Sequence, residues 1–312
     1  GSLVAAIASR WRESFLALCD ATMSQRAAVA VGALFFNAAK RLDEPTRDRL
    51  QSSGAMHIIS VSGLHVVIFA FGLSGLLSVF PIPRAVNLAV LLIVLALYAL
   101  ATGLQPPVVR AVIMTAVISG AYLLRRQPDL LSALALSGLV YLVADPPSLL
   151  DPGFQLSFAT VAGFAIWLQN SDVRDTRWLE QKDSARARIW HMAKTLAAAS
   201  MVASLVSAPL VAYYFGQIPL LSVLTNLLIA PAIAPLTLTA LAALPLFQDA
   251  PAVSAGLMRV VVEPLAGWVL AVVDTIGGLS VSSVSVPPFS GYWLIPVYAI
   301  ALAAWRKRAR QP

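Results

Sequence analysis

Cysteine is almost missing from this chain of 312 residues: Cys19 stands alone, so neither an internal disulfide nor a cysteine-built metal centre can form. Histidine is nearly as scarce. His57, His65 and His191, the last in a polar stretch, make a poor metal set. Charge is thin as well: 12% of residues are Asp, Glu, Lys or Arg against 59% hydrophobic, and mean hydropathy is +0.79, which excludes an ordinary water-soluble domain. Catalytic signatures are wanting too. The sequence holds no G-x-S-x-G elbow, H-E-x-x-H, Walker A loop, G-x-G-x-x-G or H-x-H-x-D-H pattern. Ser62 and His65 stand three apart, but nothing supplies a carboxylate suited to orient the imidazole. Neither an enzyme nor a metal or other cofactor is expected.

What the chain has in abundance is apolar runs. A hydrocarbon layer is crossed by about 20 such residues in a helix. Runs near 56–80, 86–102, 108–124, 129–144, 153–169, 193–214, 221–247, 253–275 and 290–305 predict an all-α polytopic integral membrane protein of about nine transmembrane helices, some broken or re-entrant. Residues 1–50 read as an amino-terminal amphipathic or interfacial segment, because 27–39 is too short to span and is bracketed by Arg26, Lys40 and Arg41. Residues 51–305 form the membrane domain and 306–312 a basic cytoplasmic tail. Arg10, Arg12 and Glu13 precede any long apolar run, so a cleavable signal is not expected, and the Gly1-Ser2 start leaves open an excision from a longer chain.

Basic residues sort by alternate loops. One set holds Arg84, Arg125, Arg126, the linker residues Arg174, Arg177, Lys182, Arg186, Arg188 and Lys194, and the tail WRKRARQP. The other set, TGLQPP, DPPSLLDPG, FGQIP and GGLSVSSVSVPPFS, has no Lys or Arg. The positive-inside rule makes the first set cytoplasmic. Lys40, Arg41, Arg47 and Arg49 count against an external amino-terminal segment and are partly balanced by Asp43, Glu44 and Asp48. This sorting is also enough to explain a net charge of +7 without a nucleic-acid partner.

Polar groups at membrane depth are costly, and they mark either function or a buried partner. The first span opens with HIISVSGLHVVIFAFG. On a continuous helix His57, Ser60, Ser62 and His65 would spread over about 200°, so the helix is interrupted near Ser62-Gly63 or has polar neighbours on several sides. The competing reading is a pair of neutral histidines satisfied by adjacent helices. Ser200, Ser204 and Ser207 share a face of one helix, as do Ser222, Asn226 and Thr237 of the next, lining a pore or packing closely. Pro106, Pro107, Pro231 and Pro235 are candidate helix breaks. Arg110, just inside its span, reads as an interfacial anchor or as a pore cation near the outer mouth. Arg259 and Glu263, four apart, are expected to pair.

The stretch HIISVSGLHV resembles the signature of ComEC-type competence proteins, the membrane channels for DNA uptake in natural transformation. YALATGLQPPVVRAVIM, ADPPSLLDPGFQLSFATVAGF, YYFGQIPLLSVLTNLLIAPAIAPL and VPPFSGYWLIPVY follow in the order such proteins show, covering about residues 50 to 300. FFNAAKRLDEPTRD is a looser match. The resemblance implies a channel for single-stranded DNA across the bacterial inner membrane. Candidate path residues are then His57, Ser60, Ser62, Gly63, His65, Arg110, Gln155, Ser157 and Asn226. It further implies a cytoplasmic ATPase or helicase and single-strand-binding proteins as partners, and OB-like and metallo-β-lactamase-like domains in a full-length protein. A secondary transporter of a small anion, or a scaffold in an uptake machine, is the alternative from the residues themselves.

Overall fold

The computed structural model describes residues 3–59, 62–169 and 185–309. Ser60, the linker positions Arg174, Arg177 and Lys182, and residues 310–312 of the tail lie outside them. Three amino-terminal helices, α1 (Leu3–Thr22), α2 (Gln25–Phe36) and α3 (Glu44–Ser52), precede a one-turn helix α4 (Met56–Ile59). A run of helices follows: α5 (Gly63–Ser78), α6 (Arg84–Ala101), α7 (Pro106–Leu123), α8 (Leu130–Ala144), α9 (Pro152–Gln169), α10 (Ala185–Phe215) and α11 (Ser222–Asp249). Helix α12 (Pro251–Leu257) continues through a π turn (Met258–Val262) into α13 (Glu263–Gly277), and α14 (Leu294–Ala309) ends the described chain. Two short strands, β1 (Gln217–Pro219) and β2 (Ser283–Ser285), pair antiparallel with Ile218 opposite Val284.

Helices occupy all nine apolar runs, but not all are long enough to span. Among the described residues five helices are long and apolar enough to cross a membrane: Arg84–Ala101, Pro106–Leu123, Arg186–Phe215, Ser222–Phe247 and Pro251–Gly277. Gly63–Ser78 and Leu130–Ala144 are apolar but shorter. The outer shell is apolar, as lipid demands: Phe71 is 83% exposed, and Val143 and Val260 also point outward. The second half of the polar linker is helical. Arg186, Arg188, His191 and Lys194 ride on α10, whose 31 residues extend about 46 Å and so outrun a hydrocarbon core of ~30 Å.

Local chemistry sets the helix starts. The Asp129 carboxylate accepts from the Ser132 amide at 2.8 Å ahead of α8, and Asp151 from the Phe154 amide at 3.0 Å at the start of α9. Pro106 and Pro107 open α7, where a missing N–H costs nothing, so they begin a helix rather than break one. Pro231 and Pro235 also fail to split their span. A single helix α11 runs through both and through Pro245. Each proline forfeits one backbone bond, and the packing of α5, α10 and α13 around α11 holds the helical path.

The main departure is α2. A segment this short reads from sequence as surface-lying or re-entrant; it lies in the core, with Ala27, Ala28, Ala30, Val31 and Ala33 through Phe36 all buried. Its small residues permit close helix approach, which is why twelve residues too few to span can still be enclosed. Phe35 and Phe36 fill the centre. Phe15 of α1 meets both rings at 5.4 and 5.0 Å, and the Tyr98 hydroxyl of α6 donates to the Phe35 carbonyl at 2.9 Å. Phe35→Ala should therefore cost about 3–5 kcal/mol, read as a lower melting temperature in detergent with helicity retained; an unchanged melting point would contradict α2 as the hub.

Arg259 and Glu263 do not pair. In the π turn the Glu263 amide bonds to the Met258 carbonyl, an i→i−5 step that rotates the two side chains out of the ordinary i,i+4 register. They grip the α1–α2 turn from two sides instead. Arg259 Nε donates to the Thr22 carbonyl at 3.3 Å, and Glu263 Oε1 accepts from the Ser24 amide at 2.9 Å.

Candidate functional site

The first membrane segment is interrupted. Helix α4 ends at Ile59, and Ser62 is extended (φ −117°, ψ 158°) before α5 begins at Gly63. The first amides of α5 have no acceptor within the helix, and the Ser62 side chain does not cap them. Its hydroxyl lies 2.8 Å from His65 Nδ1 instead. His65 is 1% exposed, its ring edge meets Phe35 at 5.8 Å, and its Nε2 has no hydrogen-bond partner.

Arg110 of α7 reaches this helix start. It is 6% exposed, enclosed among the helices. Its Nη2 lies against Gly63, where any Cβ would fall inside van der Waals distance. Nη1 donates to the Ser157 carbonyl of α9 at 3.2 Å, the guanidinium sits 6.0 Å from the Phe158 ring centre, and Nε lacks a partner among the described residues. The Ser157 hydroxyl is likewise buried without a partner. Among the described residues no carboxylate pairs with Arg110. A buried cation beside an uncapped helix amino end is two positive features with no counter-charge.

A second polar group flanks the other side of the break. The His57 side chain is exposed and hydrogen-bonds to the Gly54 backbone. Gly54 has φ +76°, and a Cβ there would come within 2.6 Å of the Ser222 Cβ, so only glycine fits this turn against α11. Ser222 shares a hydrogen bond of 2.9 Å with Ser204 of α10. Asn226, one turn further on, is 8% exposed with Oδ1 lacking a partner.

Ser62, Gly63, His65, Arg110 and Ser157 thus converge from three helices. Gln155 does not join them: it donates to the Leu149 carbonyl and accepts from the Tyr214 hydroxyl, both at 2.9 Å, and so fastens the start of α9 to the end of α10. Among the described residues no cluster of His, Cys, Asp and Glu could hold a metal ion.

The profile of the family described as Competence protein matches residues 34–311. The chain belongs to that family. The match begins at the end of α2 and so takes in the FFNAAKRLDEPTRD stretch that resembled the family only loosely. The ComE operon protein 3 of Bacillus subtilis (strain 168) is 31% identical over 208 residues, which are 65% of this chain and 24% of that protein. The chain therefore spans about a quarter of the relative's length. No solved structure matches.

In this competence protein the sequence reading missed an ionic latch. Arg26 holds both oxygens of Asp274 at 2.7 Å, and Arg49 adds a contact at 3.0 Å, so α2 and α3 are tied to the end of α13. Arg41 pairs with Asp20 at 2.8 Å. Arg41 and Arg49, two of the four basic residues that count against an external amino-terminal segment, are thus partnered by acids distant in the sequence, a pairing without a local spacing signal. Arg26, Arg41 and Arg49 help line a recess of about 540 Å³ together with Asp43 and Thr46.

Asp43 caps α3, and hydrogen bonding by Thr46, its side chain first and its amide after, holds the Asp43 carboxyl below the usual aspartate range. A lowered native pKa contributes stability above the unfolded value of about 3.9, lost as pH falls through the lower native value. Helix α3 should fray only in that acidic window. The protection factor of the Thr46 amide, its exchange rate relative to an unstructured peptide at the same pH, should stay constant from neutral pH to pH 5 and fall below 4; loss of protection already at pH 6 would contradict it.

Proposed function

We propose that this chain forms the membrane path along which a single DNA strand is drawn into the cell during competence. Family membership supports a role in DNA uptake. The observation that carries the path is the interruption between α4 and α5, at which a buried arginine of α7 with no carboxylate partner among the described residues and a serine of α9 meet Ser62 and His65, where an uninterrupted helix would present only a packed apolar face. Irregular backbone at membrane depth is tolerated where protein encloses it or where it borders a wet cavity. A strand carries one charge per nucleotide, so its path needs polar walls and few cations; a dense basic lining would bind too tightly to release it.

The orientation follows from charge. The loops free of Lys and Arg lie outside the bacterial inner membrane, and the Arg84, Arg125 and Arg126 ends lie in the cytoplasm, where a single-strand-binding protein and an ATPase or helicase supply the pull. Bonds among the uncharged ends support their shared side: Tyr141 donates to the Leu104 carbonyl, β1 pairs with β2, and Gln217 bonds Gln51 of α3.

The test is strand entry into vesicles carrying the intact protein, with a single-strand-binding protein trapped inside as a sink. Protein-dependent accumulation of labelled strand is the expected result. Entry of inorganic phosphate without strand would favour the small-anion transporter, and entry of neither would leave only a scaffold.

A further inference from the structure

We infer that the Arg110 cluster is a subsite for one phosphodiester anion, held beside the Arg110 guanidinium where it meets the amino end of α5; the inference rests on the strand-path reading above. Four observations point to an anion. Among the described residues Arg110 is buried without a carboxylate partner, and its Nε has no acceptor. Its Nη2 lies against Gly63, the first residue of a sixteen-residue helix whose capping serine is engaged elsewhere. His65 Nε2 and the Ser157 hydroxyl, both buried, also lack partners. The unpartnered Nε of Arg110, the first amides of α5 and two further unpartnered polar groups together match the donor needs of a phosphate oxygen pair.

The size of the cluster decides between a strand and a denser polyanion site. One guanidinium and one helix end offer charge for one phosphodiester, and Phe35 and Phe158 close two sides with rings. A single such grip lets a strand step from one phosphate to the next. Gly63 is the positioning residue, since its missing side chain is what lets Nη2 reach the helix end.

The experiment compares three probes on the intact protein in lipid nanodiscs: a short phosphodiester oligonucleotide, its uncharged methylphosphonate counterpart, and inorganic phosphate. The wild type should bind the phosphodiester at least about tenfold more tightly than the methylphosphonate, the worth of ~1.4 kcal/mol. Arg110→Gln should erase that preference. Should Arg110→Gln fail to insert, Gly63→Ala, which leaves the charge and displaces it, must reduce the same preference. Equal preference in wild type and variants would overturn the subsite while leaving the strand path standing. Binding of inorganic phosphate but of neither oligonucleotide would overturn the strand-path reading together with it.

Discussion

Arg110→Met should make the strand-free protein more stable and at the same time remove strand uptake. The two effects share one cause. A guanidinium enclosed by Gly63, Phe158 and the Ser157 carbonyl has no carboxylate counter-ion among the described residues, and exchanging such buried charge for an apolar side chain of similar length is neutral or stabilising by about 1–4 kcal/mol. Melting curves in detergent should therefore rise by several degrees or stay level. Transformation should fall by about 30-fold or more, the consequence of losing a charged hydrogen-bond contact worth ~2 kcal/mol. A structural arginine behaves differently: its loss lowers melting point, abundance and transformation together. That outcome would return Arg110 to the role of a packing residue.

Gly63→Ala should mimic the loss of Arg110 without removing a charge. The added Cβ meets Nη2, the far end of a flexible side chain, so the guanidinium moves and the helix start survives. Protein abundance should stay near normal while transformation drops about tenfold, as ~1.4 kcal/mol of misplacement would produce. The decisive arm is the double variant. If Gly63 acts only by positioning Arg110, Gly63→Ala adds nothing to Arg110→Gln, whereas independent roles multiply the two losses. Multiplying losses would contradict the placement of both residues in one subsite.

Sequence reasoning reached the helical runs because lipid imposes a simple rule on them, and α6, α10 and α11 each fall where an apolar stretch lies. It reached Ser62, Gly63 and His65 because hydroxyl, glycine and imidazole in succession conflict with a regular apolar helix. Arg110 and Ser157 were also marked, but not their convergence: nearness to a span end says nothing about which way a side chain turns. Burial of α2 was hidden because length and flanking charge describe a segment facing lipid, while its alanines and paired phenylalanines serve contacts with α1, α6 and α13. The Arg259–Glu263 expectation failed on one extra residue in a turn. Asp274 escaped notice because its partners Arg26 and Arg49 lie more than two hundred positions earlier.

The most direct measurement follows the strand itself. In a Cys19→Ser background, Ser62→Cys, Ser157→Cys and Phe71→Cys variants of the intact protein are exposed during uptake to a strand bearing photoreactive groups on its phosphates. Phe71 lies on the same helix as the α5 start and faces outward, so it serves as the lipid-side control. Strand adducts at positions 62 and 157 and none at 71 are the expected result. Uptake that proceeds without adducts at 62 and 157 would place the strand elsewhere and contradict a path past the α4–α5 break.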